Sequence, residues 1–235
     1  MKPIIEKCSG TYETMAVQLI AQSFADDPGI VFFSPNPAKR RLHTLKLINA
    51  ISGILEKFGE KYIILHKNRV IAVTMSIPPG RQISVLSMIQ SGFLFIPFFL
   101  GLRTFNKVMK FIDFSWKLRE DHMAGREYWH LFYLAVHPEY RRKGYGKLIL
   151  SNILDHAAKD KKPVFLQTFT EEGIKFFKKN SFKTVSETIF SEKCTMRCMI
   201  RDFSISSQKT KNPERKEKKK SLNRKPAKKT NKAKK

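Results

Sequence analysis

Residues able to do chemistry concentrate between Tyr128 and Lys147, in the run YWHLFYLAVHPEYRRKGYGK. Arg141, Arg142 and Lys143 are followed by Gly144 and Gly146, which open an apolar-periodic segment from Lys147 to Ala158. Glycines at the mouth of a helix let backbone N–H groups converge on an anion, and the helix dipole and the cations add to the attraction. The chemistry is therefore phosphate binding, and the plain alternative is a basic loop joining a strand to a helix. Two nucleotide motifs fail on spacing. GYGKL lacks the four-residue gap and the hydroxyl of a P-loop, and no third glycine completes a dinucleotide fingerprint.

A second chemistry-bearing residue is His130, six positions before Val136. Even spacing along a strand predicts that it shares the face of Val136, where it would act as a general base. A core histidine bonded to a carbonyl is the competing reading. Glu120 and His122, expected in a loop before the strand, are weaker base candidates, and His137 reads as a solvated turn residue.

The elements that would position these groups follow from periodicity. Tyr128–Val136 has no charged residue, as a strand covered on both faces requires, and His137-Pro138-Glu139 ends it. Upstream, the pattern predicts a strand in Lys2–Cys8 and a helix over Glu13–Phe24 that Asp26-Asp27-Pro28-Gly29 breaks. Asn36-Pro37 starts a further helix over Ala38–Phe58, and Tyr62–His66 and Val70–Ile77 form a hairpin turning at Lys67-Asn68-Arg69. Downstream come strand Val164–Thr168, helix Glu171–Lys179, and strands Phe182–Phe190 and Lys193–Phe203. Ile83–Leu102 has no charge over a membrane-spanning length, but Gly92, Pro97 and Gly101 interrupt it. It reads as two short apolar helices over a pocket, with peripheral membrane contact as an alternative and no membrane span assigned. Thr104–Glu120 continues as a helix. Strands interleaved with helices imply a mixed α/β sheet with one core.

The 235 residues carry a net charge of +25, unevenly spread. Gln208–Lys235 holds 14 Lys and Arg against Glu214 and Glu217, and Leu222 is its one large aliphatic side chain. Such a segment cannot bury enough surface to offset chain entropy, so residues 1–206 are expected to be the domain and 207–235 a disordered tail. A polycation of this kind contacts nucleic acid or anionic surfaces with little sequence choice. It has no aromatic ring for base stacking. A merely solubilising tail is the alternative. Cys8, Cys194 and Cys198 lack zinc spacing and read as free thiols in a reducing cytoplasm, so no metal is expected. The amino terminus shows no secretion signal.

With these residues in view, the chain resembles the GNAT acetyltransferases, whose signature is Arg/Gln-x-x-Gly-x-Gly/Ala after a strand ending Val-x-Pro. Val136, Pro138, Arg141, Gly144 and Gly146 occupy those positions. The resemblance is nearest to the puromycin-acetyltransferase-like branch, through Tyr128-Trp129-His130-Leu131, Leu166-Gln167-Thr168-Phe169-Thr170-Glu171, Phe176-Phe177-Lys178-Lys179-Asn180-Ser181-Phe182, Phe24-Ala25-Asp26-Asp27-Pro28 and Pro78-Pro79-Gly80. It implies a splayed mixed sheet of about seven strands and an acetyl-CoA co-substrate. Pantetheine would lie along Leu134, Ala135 and Val136, and the pyrophosphate on amides of Arg142, Lys143, Gly144, Tyr145, Gly146 and Lys147, with Arg141 beside them. Thr170 and Phe177 would complete the cofactor site, and an amine acceptor would enter near Ile83–Leu102. Phe177 stands where many members have a tyrosine to protonate the leaving thiolate. Thr170 or Gly173 replaces a usual asparagine, and Ser181 a usual glycine. A non-catalytic acyl-CoA-binding protein is therefore the alternative to an N-acetyltransferase acting on a small or peptidic amine.

Overall fold

Lys67 and Asn68 both adopt positive φ, 48° and 58°, the geometry whose twist matches a two-residue hairpin turn. They join β2 (Glu60–His66) to β3 (Arg69–Ile77), with His66 opposite Arg69. The computed structural model describes residues 3–81, 95–192 and 194–203. The expected tail, and residues 83–94 of the charge-free run, lie outside them. β1 (Ile5–Lys7) borders β2, and β4 (Trp129–Val136) borders β3 antiparallel from Ile77↔His130 to Ala72↔Val136. β5 (Val164–Thr168) then runs parallel to β4, while β6 (Lys183–Ser191) and β7 (Cys194–Arg201) form a terminal hairpin. The sheet has seven strands in the order β1-β2-β3-β4-β5-β7-β6, the mixed, splayed α/β architecture expected from the sequence.

One face is covered by α1 (Tyr12–Phe24), α2 (Pro28–Phe33), α3 (Pro37–Phe58), α4 (Ile96–Leu100) and α5 (Leu102–Met123). The other carries α6 (Tyr145–Asp160) and α7 (Glu171–Lys179). On the first face Ala16, Leu19 and Ile20 of α1 and Ile48 and Leu55 of α3 pack on Ile63, Val73, Met75 and Ala135. On the second, Leu150, Ile153, Leu154 and Ala157 of α6 meet Trp129, Leu131, Val164 and Leu166. Burying each large aliphatic of α6 contributes about 1.5–3 kcal/mol, which anchors the helix whose amino terminus forms the basic loop.

Three elements differ from the sequence reading. Asp26-Asp27-Pro28-Gly29 ends α1 but also starts α2, because the Asp27 carboxylate accepts from Gly29 N at 2.9 Å and Pro28 takes the first helical position. The helix expected to stop at Glu120 runs on to Met123, whose burial against Phe165 holds the last turn. Glu120 and His122 therefore lie on that turn rather than in a loop. Of the charge-free run, Ile96–Leu100 forms α4, and Leu102 begins α5. Among the described residues no helix is long and apolar enough to cross a membrane.

Candidate functional site

β4 and β5 pair only at Trp129↔Val164, His130↔Phe165 and Leu131↔Leu166. Beyond Leu131, β4 stays hydrogen-bonded to β3 on one side and, among the described residues, has no strand partner on the other. β5 ends at Thr168, while β7 extends past it to Cys194. A gap thus opens in the middle of the sheet, walled by the carboxyl half of β4 and the start of β7. Strand alternation decides what faces it. His137 N donates to Ile71 O of β3, so two-residue periodicity turns the backbone groups of Leu134 and Val136 the other way, into the gap. The Val136 carbonyl confirms this by accepting Arg141 Nε at 3.1 Å. Ala135, between them, directs its backbone to Val73 and its side chain into the α1 core.

The basic loop adjoins this gap. A short 3-10 turn, Pro138–Tyr140, leads into it. Arg142 and Gly144 take left-handed φ of 60° and 87°, and alternating hand along a loop makes successive N–H groups converge. The α6 ladder begins with Leu148 N to Gly144 O, which leaves the amides of Tyr145, Gly146 and Lys147 outside it. Nothing would lie within 4 Å of a Cβ on Gly144, so its φ, not crowding, calls for glycine there. At Gly146 a Cβ would meet Phe176 Cε2 at 3.3 Å and Val136 Cγ2 at 3.6 Å. Arg141, Arg142, Lys143 and Lys147 are all exposed. Tyr145 turns inward and stacks edge-on with Tyr140 at 5.8 Å. Converging amides, open space and four exposed cations fit a pyrophosphate.

His130 occupies a different environment from the one its spacing implied. Met75 pairs with Tyr133 but Ser76 with Leu131, so Phe132 is an extra residue, a β-bulge. A bulge reverses the parity of sides. Leu131, Leu134 and Val136 face α6, whereas Tyr133 and Ala135 face α1. The His130 ring stacks on Phe132 at 3.9 Å and contacts Phe165 at 5.4 Å, so it lies on the α1 side, opposite Val136. The even-spacing expectation fails for that reason. Burial, with Arg119 nearby, lowers its pKa to about 3, leaving a neutral ring that is a weak proton acceptor.

Phe177 is buried between α6 and Phe182 (ring centroids 5.4 Å), in the core rather than against the loop. Its neighbour Phe176, which sequence reasoning passed over, is the ring that meets Gly146. The Thr170 hydroxyl caps α7 by accepting Gly173 N at 3.1 Å. A side chain on Gly173 would collide with Thr168 Oγ1.

Asp27 is the other residue that sequence reasoning missed, although Asp-Pro before an apolar run is a helix-start signal. Its carboxylate is held up to a pKa of about 6 by burial, opposed by the Gly29 hydrogen bond. Burial first, and the Asp27 carboxylate second, push up the pKa of Tyr133 of β4 and of Cys194 of β7. The helices Asp27 joins pack on the strands that wall the gap, α1 on β4 and α2 on β7. Cys8, Cys194 and Cys198 are free, buried thiols.

Residues 99–184 match a family model described as acetyltransferase (GNAT) domain. A probable serine/threonine-protein kinase of Dictyostelium discoideum is 28% identical over 187 residues, covering 70% of this chain and 19% of that protein. The chain thus spans about a fifth of the length of that curated relative. Among solved structures, the C-terminal condensation domain of Ebony in complex with beta-alanyl-dopamine has a TM-score of 0.61 at 12% identity, covering 86% of this chain and 99% of that one. Arylalkylamine N-acetyltransferase 2 from Aedes aegypti gives 0.57 at 12% identity, with 86% and 100% covered. The paia N-acetyltransferase from Thermoplasma acidophilum in complex with coenzyme A gives 0.51 at 15% identity, with 86% and 99% covered. Identities this low establish shared architecture alone. The chain has the GNAT fold, and its residues 99–184, basic loop included, carry the match to the acetyltransferase (GNAT) domain.

Proposed function

We propose that this protein is an N-acetyltransferase that moves the acetyl group of acetyl-CoA directly to a primary amine. The observation that carries this reading is the gap beside the glycine loop, where backbone groups of Leu134 and the Val136 amide that no strand pairs among the described residues adjoin the amides of Arg142–Lys147. In this reading the loop and the α6 amino terminus hold the pyrophosphate, and Leu134 and Val136 bond the pantetheine amides. An outward β4 amide receives the thioester oxygen as charge develops on it. Thr170 and Phe177 then support α7 and the floor of the site through capping and packing. The solved complex of the Thermoplasma acidophilum acetyltransferase with coenzyme A supports the choice of ligand. We also place the chain in the puromycin-acetyltransferase-like branch on the motif residues given above.

Transfer needs a neutral amine, and at pH 7 an amine of pKa near 10.4 is neutral about once in 2,500, a cost of roughly 4.6 kcal/mol. His130, buried and with its pKa lowered to about 3, is poorly suited to relieve that cost. Release of CoA from acetyl-CoA in the presence of an amine panel tests the function. Turnover that Gly144→Trp abolishes is expected, and tight CoA binding without turnover on any amine would defeat the reading. That outcome is the second reading, a non-catalytic acyl-CoA binder, favoured by the absence of a hydroxyl on the buried Phe177 ring. For the Lys-rich segment beyond Gln208 we propose contact with nucleic acid or an anionic surface, and for the free thiols a reducing, cytoplasmic setting.

A further inference from the structure

The α1–α2 turn is fixed over the gap from two sides. Phe24 packs edge-on against Tyr133 of β4 at 5.2 Å, and Asp27 N donates to Phe24 O at 3.0 Å, closing the turn. The helices on either side of the turn contact the two walls, α1 on β4 and α2 on β7, and the Asp27 carboxylate acts electrostatically on Tyr133 and Cys194, a smaller effect there than their burial. Among the described residues its carboxylate makes one hydrogen bond, to Gly29 N. An apolar surface adjoins it. A Cβ on Gly29 would lie 3.2 Å from both Asp27 Oδ1 and Phe111 Cζ, which puts the carboxylate close to that ring edge. Phe111 in turn contacts Phe169, the first residue past β5, at 5.5 Å, and Phe190 of β6 at 5.4 Å. All three rings are only half-buried, so each keeps surface for a ligand. Carboxylate and aromatic rings together make a receptor for an ammonium group on an apolar body.

We propose that the acceptor is a primary amine on an aromatic or comparably bulky apolar body, with Asp27 receiving the ammonium and taking its proton while Phe111, Phe169 and Phe190 hold the body. The proposal rests on the acetyl-transfer reading above. An ammonium N–H proton passes to the carboxylate, and the freed lone pair forms the N–C bond at the thioester carbonyl carbon. The C–S bond breaks with its electrons on sulfur. The second N–H proton is lost as the amide forms, the thiolate takes up one proton, and Asp27 returns the other to water. Among the described residues, the charged and titratable groups around Asp27 are Tyr133, Cys194, and Asp26, which is paired to Arg40 of α3 at 2.7 Å. The Asp26–Arg40 pair is self-compensated and leaves Asp27 free to answer a bound cation.

The test measures CoA release with phenethylamine, hexylamine, ethylamine and spermidine for the full chain and for Asp27→Asn, Asp27→Glu and Phe111→Ala, with calorimetric titration of CoA alongside. Asparagine still caps a helix, so Asp27→Asn keeps α2. Phenethylamine is expected to exceed spermidine by at least about tenfold in kcat/KM. Asp27→Asn should lower kcat/KM for phenethylamine about 100-fold, remove the acidic limb of its pH profile and leave CoA affinity within about twofold. Asp27→Glu should restore part of the rate. Phe111→Ala should raise KM for phenethylamine but not for ethylamine. Preference for spermidine, or an Asp27→Asn enzyme with an unchanged profile, would overturn the proposal. CoA binding without turnover on any amine, or failure of the unsubstituted protein to bind CoA, would instead strike the acetyl-transfer reading itself.

Discussion

Replacing Gly144 by alanine and by tryptophan separates the backbone role of the loop from its role as a ligand cradle. Gly144 has φ +87° and nothing within 4 Å of where a Cβ would stand, so both substitutions carry the same strain and neither meets a protein atom at Cβ. A left-handed conformation costs a non-glycine residue about 1–2 kcal/mol, which in a domain of roughly 200 residues lowers Tm by about 2–8 °C. Alanine should therefore melt a few degrees lower and bind CoA within about tenfold of the parent. Tryptophan should melt similarly but place its indole where the pyrophosphate sits. Losing two charge-assisted hydrogen bonds, each about 1.5–3 kcal/mol, weakens CoA by at least about 100-fold. Differential scanning fluorimetry gives the first quantity and calorimetry with CoA the second. A tryptophan variant that binds CoA as well as the alanine variant would refute the cradle.

Three further outcomes follow from the same structure. His130→Phe should keep kcat/KM within about threefold, since the ring packs among Phe132 and Phe165. Because the folded pKa of His130 is lowered to about 3, the unfolded chain binds its proton first, so stability present above the unfolded value is lost as pH falls toward 3. The phenylalanine variant should accordingly lose less stability than the parent between pH 7.5 and 4.5 in urea melts; an equal loss would contradict the burial argument. Asp27 has the opposite sign: its folded pKa is raised to about 6, so its contribution is full below the unfolded value and lost as pH rises through 6. Asp27→Asn should thus be more stable than the parent at pH 8, by at most about 3 kcal/mol, with the gain shrinking by pH 5; a destabilised variant at pH 8 would count against it. Deleting residues 208–235 should leave CoA affinity unchanged and weaken RNA binding at low salt, flattening its salt dependence. Unchanged RNA affinity would rule the segment out.

Features resting on local chemistry were legible in the chain. The strand Val164–Thr168 and the helix Glu171–Lys179 occur at the residues their patterns indicated, and Arg141–Gly144 forms the loop that glycine spacing implied, with α6 starting at Tyr145. What escaped depended on tertiary register. The Phe132 bulge is visible only once β4 pairs with β3, and it moves His130 to the opposite face from Val136. Asp27 reads as a helix breaker in sequence. Its place over the gap arises because α1 packs on β4 and α2 on β7, bringing it near Tyr133 and Cys194 from distant parts of the chain. Phe176 and Phe177 are adjacent and chemically identical, so only the orientation of α7 decides which one meets Gly146.

The central claim, that the gap in the sheet and the glycine loop together form one CoA site, is tested most directly by residue-resolved amide hydrogen exchange with and without saturating CoA. The account predicts added protection at Leu134 and Val136 and at Arg142–Lys147, with little change at Ala135, whose amide already faces β3. Protection confined to other segments, or to the loop without Leu134 and Val136, would contradict it.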